Sequence, residues 1–217
     1  MLYIVATPIG NLKDITLRAL EVLRSVDLIA CEDTRHTQIL LKEYAITKPT
    51  TSYFQHNKLS KGEYLIGLLK EGKSVALVSD AGTPGILDPG YNLLNMAIAR
   101  NIEITVIPGA TAFVNALVLS GKPAHEFIFA GFLPPRTLAR KNKLKSLLKE
   151  GRTIVLYESC HRITATLEDI KEVCGSRPIC VARELTKKFE EVLRGEAGEI
   201  LTVFTLKKPL GEFVLVL

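Results

Sequence analysis

Short apolar runs alternate with longer amphipathic segments along the whole chain. Five of these runs lie in the first half and read LYIVA, DLIAC, TTSYF, VALVS and IEITVIP. They are rich in β-branched residues, which is typical of buried strands. Between them, segments such as TLRALEVLRS and GEYLIGLLKEG are helical, and the second places Leu65, Leu68 and Leu69 on one face. This alternation predicts a parallel α/β sheet with helices on its faces.

A Gly-Pro break, LSGKPAHE, interrupts the pattern near residue 120. The alternation then restarts with the runs FIFAG, TIVLY, ICVAR, EEVLRG and GEFVLVL, and with the helical segment ITATLEDIKEVC. We therefore predict the fold class α/β, with two small α/β domains at residues 1–119 and 120–217.

The net charge of +5 lies entirely in the second half of the chain, where residues 121–217 hold 17 basic and 12 acidic side chains. Much of it is concentrated in RTLARKNKLKSLLKEGR, residues 136–152. A one-sided basic surface favours a polyanion such as nucleic acid, whereas a solvated helix face is the alternative. The pattern alone leaves both open.

Several classes of protein are disfavoured by the sequence. The N-terminus does not resemble a signal peptide, and no apolar run has the length of a membrane span, so we expect a cytoplasmic protein that does not enter a membrane. The four cysteines and the histidines lack metal-ligand spacing, so no metal site is predicted. The segment GLLKEGKS matches the P-loop pattern, but a helix precedes it and a strand follows it, the reverse of a P-loop. Gly72 in this segment is better explained as a helix C-cap.

Four loops that follow predicted strands are rich in glycine, proline and polar residues. They read ATPIGN, CEDTRHT, SDAGTPGILDPG and PGAT. Ligands of open α/β sheets bind beyond the carboxyl ends of the strands, where these loops lie. Because no phosphate-binding fingerprint is present, the loops favour a neutral or zwitterionic ligand held largely by backbone groups.

The acidic residues of these loops have different explanations. Asp88 before Pro89 fits a helix N-cap with proline at the first helical position. Asp80 either bonds its own turn or contacts a ligand, and the residues alone do not decide between these. Asp33 or Thr34 explains a helix start in CEDTRHT, but neither explains the adjacent Arg35 and His36.

Two further clusters, YESCHR and ARELTK, follow strands of the second half. Each places a glutamate beside an arginine. Local ion pairing explains either cluster alone, whereas two of them facing the loops of the first domain favour an active cleft between the domains. Cys160 and His161 are neighbours in sequence, which does not make them a nucleophile–base pair.

Taken together, these segments carry a family resemblance over essentially the whole chain. The motifs YIVATPIGNLKDITLRALEVL, LIACEDTRHT, SVALVSDAGTPGILDPGY, IPGATA, GFLPPR, LYESCHR, VARELTK and GEFVLVL occur in this order. The chain resembles the small-subunit ribosomal RNA methyltransferase I family of the tetrapyrrole methylase superfamily. The resemblance implies two α/β domains with S-adenosyl-L-methionine in the cleft between them, and a homodimer. It also implies 2′-O-methylation of a cytidine in the decoding region of 16S rRNA, with the small ribosomal subunit as partner.

The resemblance also assigns roles to residues. The cofactor-binding set is Pro8, Ser79, Asp80, Ala81, Gly82, Ile86, Ala110, Thr111, Tyr157, Ala182, Arg183 and Glu184. The motifs EDTRHT and YESCHR and the basic segment supply the RNA-binding set, which is Arg35, His36, Arg136, Arg140, Lys141, Lys143 and Arg162. By residue type, the candidates for catalysis and for accepting the hydroxyl proton are Asp80, Glu158, His161 and Glu184.

Two alternatives remain at this level. The first is a methyltransferase that acts on a tetrapyrrole of the precorrin type, against which the basic segment and the two family motifs count. The second is a non-catalytic RNA-binding or assembly protein that keeps the fold. The chain departs from the wider pattern at PGAT, where Pro-Gly-Pro-Ser is usual, and at Leu87, where a small polar residue is common.

Overall fold

Each of the ten apolar runs forms a strand in the computed structural model, which describes residues 1–217. The chain divides into two units, Met1–Thr111 and Ala112–Leu217. The elements of the first unit are β1 (Leu2–Val5), α1 (Leu17–Ser25), β2 (Leu28–Cys31), α2 (Thr34–Glu43), β3 (Thr50–Ser52), α3 (Lys58–Lys70), β4 (Val75–Val78), α4 (Gly90–Ile98) and β5 (Ile104–Ile107). A short 3-10 helix spans Leu12–Asp14.

The first sheet is fully parallel, with strand order β3-β2-β4-β1-β5. Side chains of alternate strand residues point to opposite faces. Val5, Ile29 and Val78 pack on one face against α1 and α2, whereas Ile4 and Leu77 pack on the other face against α3 and α4. The unit therefore has three layers, and the carboxyl ends of all five strands lie at one edge.

The end of α3 shows why the P-loop pattern is coincidental. Gly72 has a φ of +84°, its N–H donates to the carbonyl of Leu69, and the N–H of Lys73 donates to the carbonyl of Leu68. This pair of hydrogen bonds is a Schellman motif that ends the helix at Lys70, with Gly72 as the left-handed residue two positions later. The prediction of a C-cap glycine at this position is confirmed.

The second unit contains five strands and four helices. They are α5 (Ala112–Ser120), β6 (Phe127–Phe132), α6 (Thr137–Leu148), β7 (Thr153–Ser159), α7 (Ile163–Cys174), β8 (Pro178–Arg183), β9 (Glu191–Glu196), α8 (Ala197–Leu206) and β10 (Glu212–Val216). The sheet order is β6-β7-β10-β8-β9. Only β6 and β7 are parallel, because β9 follows β8 without an intervening helix and β10 enters between β7 and β8 in the opposite direction. The second sheet is therefore mixed rather than parallel.

The two faces of the second sheet are covered unequally. Leucine and isoleucine side chains of α6, α7 and α8 pack with Ile154, Leu156 and Val181 on one face. Helix α5 contacts β7, β8 and β10. Because α5 packs on strands of the second sheet, it belongs to the second unit. The first unit therefore ends at Thr111, eight residues before the expected boundary at residue 119. No helix of the structure has both the length and the apolar character that a membrane span requires.

Candidate functional site

The loops after β1 and β4 are joined by a short backbone bridge at the carboxyl edge of the first sheet. The N–H of Thr7 donates to the carbonyl of Gly82 at 2.9 Å, and the N–H of Gly82 donates back at 3.1 Å. The hydroxyl of Thr7 donates to the carbonyl of Ser79 at 3.1 Å. Gly82 adopts a φ of +80°, a conformation that favours glycine. The turn 79–82 is therefore held in one shape by its neighbour.

The loop after β5 approaches the same bridge. A Cβ at Gly109 would lie 2.9 Å from the Cβ of Ala6, so only glycine fits there. The hydroxyls of Thr83 and Thr111 lie 3.2 Å apart, within hydrogen-bonding distance. The carbonyl of Ala110 lies 3.7 Å from the Cβ position of Gly82. Three of the four predicted loops thus meet, and they bring together the cofactor-set residues Ser79, Asp80, Ala81, Gly82, Ala110 and Thr111.

Asp80 links the fourth loop to this group. Its Oδ1 accepts a hydrogen bond from the backbone N–H of Asp33 at 3.1 Å. The side chain does not bond its own turn, which was one of the two explanations left open by the sequence. Its second oxygen, Oδ2, makes no hydrogen bond within the chain. Asp80 is therefore available to a ligand at the edge where the loops converge.

The motif CEDTRHT forms the end of β2 and the start of α2. Asp33 is the N-cap of α2 and accepts from the N–H of Arg35 at 2.8 Å, and the Arg35 guanidinium forms an ion pair with it at 2.8 Å. These hydrogen bonds from Arg35 lower the pKa of Asp33 to about 2. Arg35 and His36 are both exposed, so each is accessible to a large partner.

Glu32 in the same motif was not among the sequence-based candidates. Partial burial, together with the carboxylates of Asp80 and Asp88, raises the pKa of Glu32. Although partly covered, the residue still reaches solvent, and its side chain makes no ion pair. The signal that could have identified it is its place directly after β2, at the edge where ligands bind.

A pocket of about 240 Å³ opens between the loop after β1 and helix α2. Most of its wall is apolar, and its polar side chains come from Thr7, from the turn after β4 and from the first turn of α2. It is lined by Thr7, Pro8, Gly10, Leu12, His36, Thr37, Ile39, Leu40, Ser79 and Asp80. Three residues of the cofactor set and one of the RNA set therefore share one pocket, which has room for part of a small organic ligand.

The rest of the loop after β4 is shaped by Asp88. Its carboxylate accepts from the N–H of Gly85 at 2.9 Å and from the N–H of Gly90 at 2.6 Å, and burial raises its pKa. Helix α4 begins at Gly90 with Pro89 at the cap position, one residue later than predicted, although Asp88 provides the capping oxygen. Ile86 and Leu87 are exposed at the tip, and Leu87 has a φ of +64°. Ile86 is accessible at the position that the resemblance assigns to the cofactor.

In the second unit, the YESCHR motif forms a closed polar network rather than an open acid–base site. Glu158 is 3% exposed and accepts hydrogen bonds from the hydroxyl of Thr166 at 2.7 Å and from the guanidinium of Arg162 at 3.3 Å. Arg162 also donates to the carbonyl of Leu133 at 2.7 Å. Glu158 and Arg162 are thus engaged with each other and with the loop after β6, which argues against a proton-accepting role for Glu158 and an RNA contact by Arg162. His161 is exposed and makes no hydrogen bond.

Tyr157 and the ARELTK motif occupy the ends of β7 and β8. The hydroxyl oxygen of Tyr157 accepts from the N–H of Phe113 at 3.3 Å, and burial raises its pKa. Ala182 is buried within β8, and Arg183 donates to the carbonyl of Leu210 at 2.6 Å.

Glu184 is a poor candidate for a base. Burial raises its pKa, but hydrogen bonds from Lys187 and from the N–H of Glu212 outweigh this and lower it overall. A carboxylate held in its charged form in this way is a weak proton acceptor. Glu184 also has a φ of +50°, a sparsely populated backbone conformation for a residue other than glycine.

The basic helix α6 is only partly a free surface. Arg140 is 3% exposed, and its guanidinium forms an ion pair with the buried Asp169 of α7 at 2.5 Å. Lys141 pairs with Glu172 and lies 3.6 Å from Asp169. Arg140 is thus held in the core by Asp169, which argues against an RNA contact, and Lys141 is engaged with α7. The exposed basic side chains of the segment that make no ion pair are Arg136, Lys143, Lys145 and Lys149.

Comparisons with known proteins agree over nearly the whole chain. A family model described as Tetrapyrrole (Corrin/Porphyrin) Methylases matches residues 1–201. A protein of Thermotoga maritima named Ribosomal RNA small subunit methyltransferase I is 51% identical over 100% of this chain and 97% of that protein. Proteins of the same name from Synechocystis sp. and Escherichia coli O157:H7 are 50% and 49% identical, over 100% and 92% of this chain and 78% and 70% of their own lengths.

Two solved structures share the fold at low sequence identity. A diphthine synthase is 17% identical with a TM-score of 0.77, covering 100% of this chain and 88% of that chain. A uroporphyrin-III-C-methyltransferase from Thermus thermophilus is 22% identical with a TM-score of 0.67, covering 99% and 93%. These likenesses confirm the predicted fold class and carry no information on the substrate.

Proposed function

Because the chain belongs to the tetrapyrrole methylase family, we propose that it transfers a methyl group from S-adenosylmethionine to the 2′-hydroxyl of a cytidine in the decoding region of 16S rRNA. The observation that carries this proposal is the full-length similarity to proteins named as small-subunit ribosomal RNA methyltransferases. The exposed cations of α6 and the exposed Arg35 and His36 support an anionic macromolecule as substrate.

The loops at the carboxyl edge of the first sheet have the chemistry that S-adenosylmethionine requires. They combine backbone groups fixed by the Thr7–Gly82 bridge with an accessible carboxylate, Asp80. The carboxylates of Asp80 and Asp88 lie close enough to Glu32 to raise its pKa. These three acidic side chains give the edge a negative potential, which suits a cationic ligand. When bound, the cofactor supplies an activated methyl group on a positive sulfonium. The chain's part is to position the acceptor hydroxyl and to exclude water.

Asp80 is expected to distinguish the charged cofactor from its neutral-sulfur product. Asp80→Asn keeps the Oδ1 acceptor for the N–H of Asp33 but removes the negative charge. We expect about 10- to 100-fold weaker binding of S-adenosylmethionine, since interactions with charged groups are worth about 1.5–3 kcal/mol. Binding of S-adenosylhomocysteine should change less, because it lacks the sulfonium charge. Isothermal titration of both ligands measures this difference. Equal losses for the two would place Asp80 on the amino-acid or ribose part of the ligand instead.

Acceptance of the 2′-hydroxyl proton is assigned to Glu32. Glu158 is enclosed by Thr166 and Arg162, and Glu184 is held charged by Lys187. Glu32 is exposed and has a raised pKa, which makes it a better base near neutral pH. His161, exposed and free of partners, is the second candidate.

The function is tested first by cofactor binding and then by transfer. S-adenosylmethionine at 100 times its dissociation constant stabilises a folded protein by about 2.7 kcal/mol, which corresponds to a rise in Tm of roughly 5–10 °C for a chain of this size. Tritiated methyl groups should then appear in small subunits that lack the modification, as a 2′-O-methylated cytidine after nuclease digestion. Absence of any cofactor binding would favour a non-catalytic RNA-binding protein, and transfer to a tetrapyrrole but not to RNA would overturn the proposal.

A further inference from the structure

Four aromatic side chains form a continuous row on one face of the second sheet. The rings of Phe113 and Phe129 are stacked with centroids 4.4 Å apart. Phe129 meets Tyr157 edge-on at 5.0 Å, and Tyr157 meets Phe132 edge-on at 5.9 Å. At one end of the row, Phe113 belongs to helix α5. At the other end, Phe132 is 53% exposed. The row thus ends in an aromatic ring that faces solvent.

A β-bulge places Phe132 in this row. In the pairing of β6 with β7, Phe129 lies opposite Val155 and Phe132 lies opposite Tyr157, with a register shift between Phe129 and Gly131. Because Val155 and Tyr157 share a face, Phe129 and Phe132 do so too, although they are three residues apart. In a regular strand they would point to opposite faces. The shift occurs beside Gly131, which has a φ of +62°, so the chain uses a glycine to turn Phe132 toward Tyr157.

The segment that follows Phe132 is held rigidly. Arg162 donates to the carbonyl of Leu133 at 2.7 Å and is itself bonded to the buried Glu158. Two prolines then fix the backbone up to Arg136, which is exposed and makes no ion pair. The Glu158–Arg162 network therefore holds the backbone between Phe132, at the end of β6, and Arg136, the residue before α6. A phenylalanine ring and a guanidinium are thus carried four residues apart by one short, restrained segment.

We propose that Phe132 is a stacking platform for an unpaired base of the RNA substrate, and that Arg136 binds an adjacent phosphate. This rests on the proposed function, whose substrate it makes more specific. Aromatic rings recognise unstacked RNA bases by their flat faces, and arginine neutralises the phosphates between them. An exposed phenylalanine supported edge-on by Tyr157 loses little side-chain freedom on binding. The basic residues that continue along α6 fit the same polyanion.

The test is direct RNA binding to a decoding-region oligonucleotide that carries a fluorescent cytidine analogue at the target position. Stacking quenches such a base, and loss of one stacked base weakens binding by about tenfold. We expect Phe132→Ala and the similarly apolar Phe132→Leu to show this loss, and Phe132→Tyr to restore binding. Phe189→Ala removes an exposed ring outside the row and is the matched control. Titration of S-adenosylmethionine should be unchanged by all four variants.

The outcomes separate the two proposals. Wild-type affinity and quenching in Phe132→Ala, with Tm preserved, would overturn the platform even if the enzyme methylates RNA. A loss of cofactor affinity without a loss of RNA affinity would also overturn it, since the ring would then face the adenine. Quenched RNA binding without methyl transfer by the wild-type chain would instead contradict the proposed function and leave the platform standing.

Discussion

Glu32→Gln is expected to lower kcat for methyl transfer by about 100-fold while making the protein more stable at neutral pH. The loss follows because a positioned base contributes at least this factor, and glutamine cannot accept the proton. The gain follows because Asp80, Asp88 and partial burial oppose the charge of Glu32. A change that stabilises a protein and reduces its activity is typical of a functional residue.

The pH dependence of the stability gain has a definite sign. The pKa of Glu32 is raised in the folded chain above the ordinary value of 4.5, so its charge costs stability above that pH and costs nothing well below it. Thermal unfolding of Glu32→Gln should therefore show a higher Tm at pH 7 and no difference near pH 4. Glu43→Gln, at the exposed end of α2, is the matched control and should change neither property. Unchanged kcat in Glu32→Gln would transfer the role of base to His161.

Asp169→Ala is expected to lower the free energy of unfolding by about 3–5 kcal/mol. Asp169 and Arg140 are both buried, and removal of the carboxylate leaves a guanidinium without its counter-charge. For a chain of this length, the corresponding fall in Tm is roughly 10 °C. Scanning calorimetry or chemical denaturation measures the change.

Two further variants serve as controls for the Asp169→Ala result. Glu172→Ala breaks an ion pair on the same helix, but one whose carboxylate is exposed, so it should cost about 1 kcal/mol or less. The double variant Arg140→Met with Asp169→Leu replaces the pair by apolar side chains and should recover most of the stability. If the double variant folds but loses as much RNA affinity as Lys143→Ala, then Arg140 does contact RNA and its assignment to the core is wrong.

The strands of this fold were predictable because each is an apolar run bounded by turn residues. Helices α5 and α8 were not predicted, since AFVNALVLS and AGEILTVFTL are apolar or β-branched around most of their circumference and lack a clear polar face. The order of the strands in the second sheet also could not be predicted from the sequence. The period of a strand shows which residues share a face, but it does not show where β10 inserts.

The candidate site was predictable where local sequence determines local structure. The turn 79–82, the N-cap Asp33 and the capping oxygen of Asp88 follow from turn and cap chemistry. Contacts distant in sequence were missed. Arg140 was predicted to bind RNA because the sequence does not show that Asp169, 29 residues away, is its partner. The hydrogen bond between Asp80 and Asp33 spans 47 residues and was missed for the same reason. Phe132 was overlooked because a regular strand would have directed it to the other face.

The bridge between Thr7 and Gly82 has a consequence for motion as well as for shape. A loop that is anchored only at its ends opens by itself, at a free-energy cost far below that of global unfolding. Here the two loops exchange N–H donors with each other, so neither can open without breaking the hydrogen bonds of the other. Entry and departure of a ligand must therefore rely on segments outside the bridge, such as the tip at Ile86 and Leu87, while the bridged edge opens only as a cooperative unit.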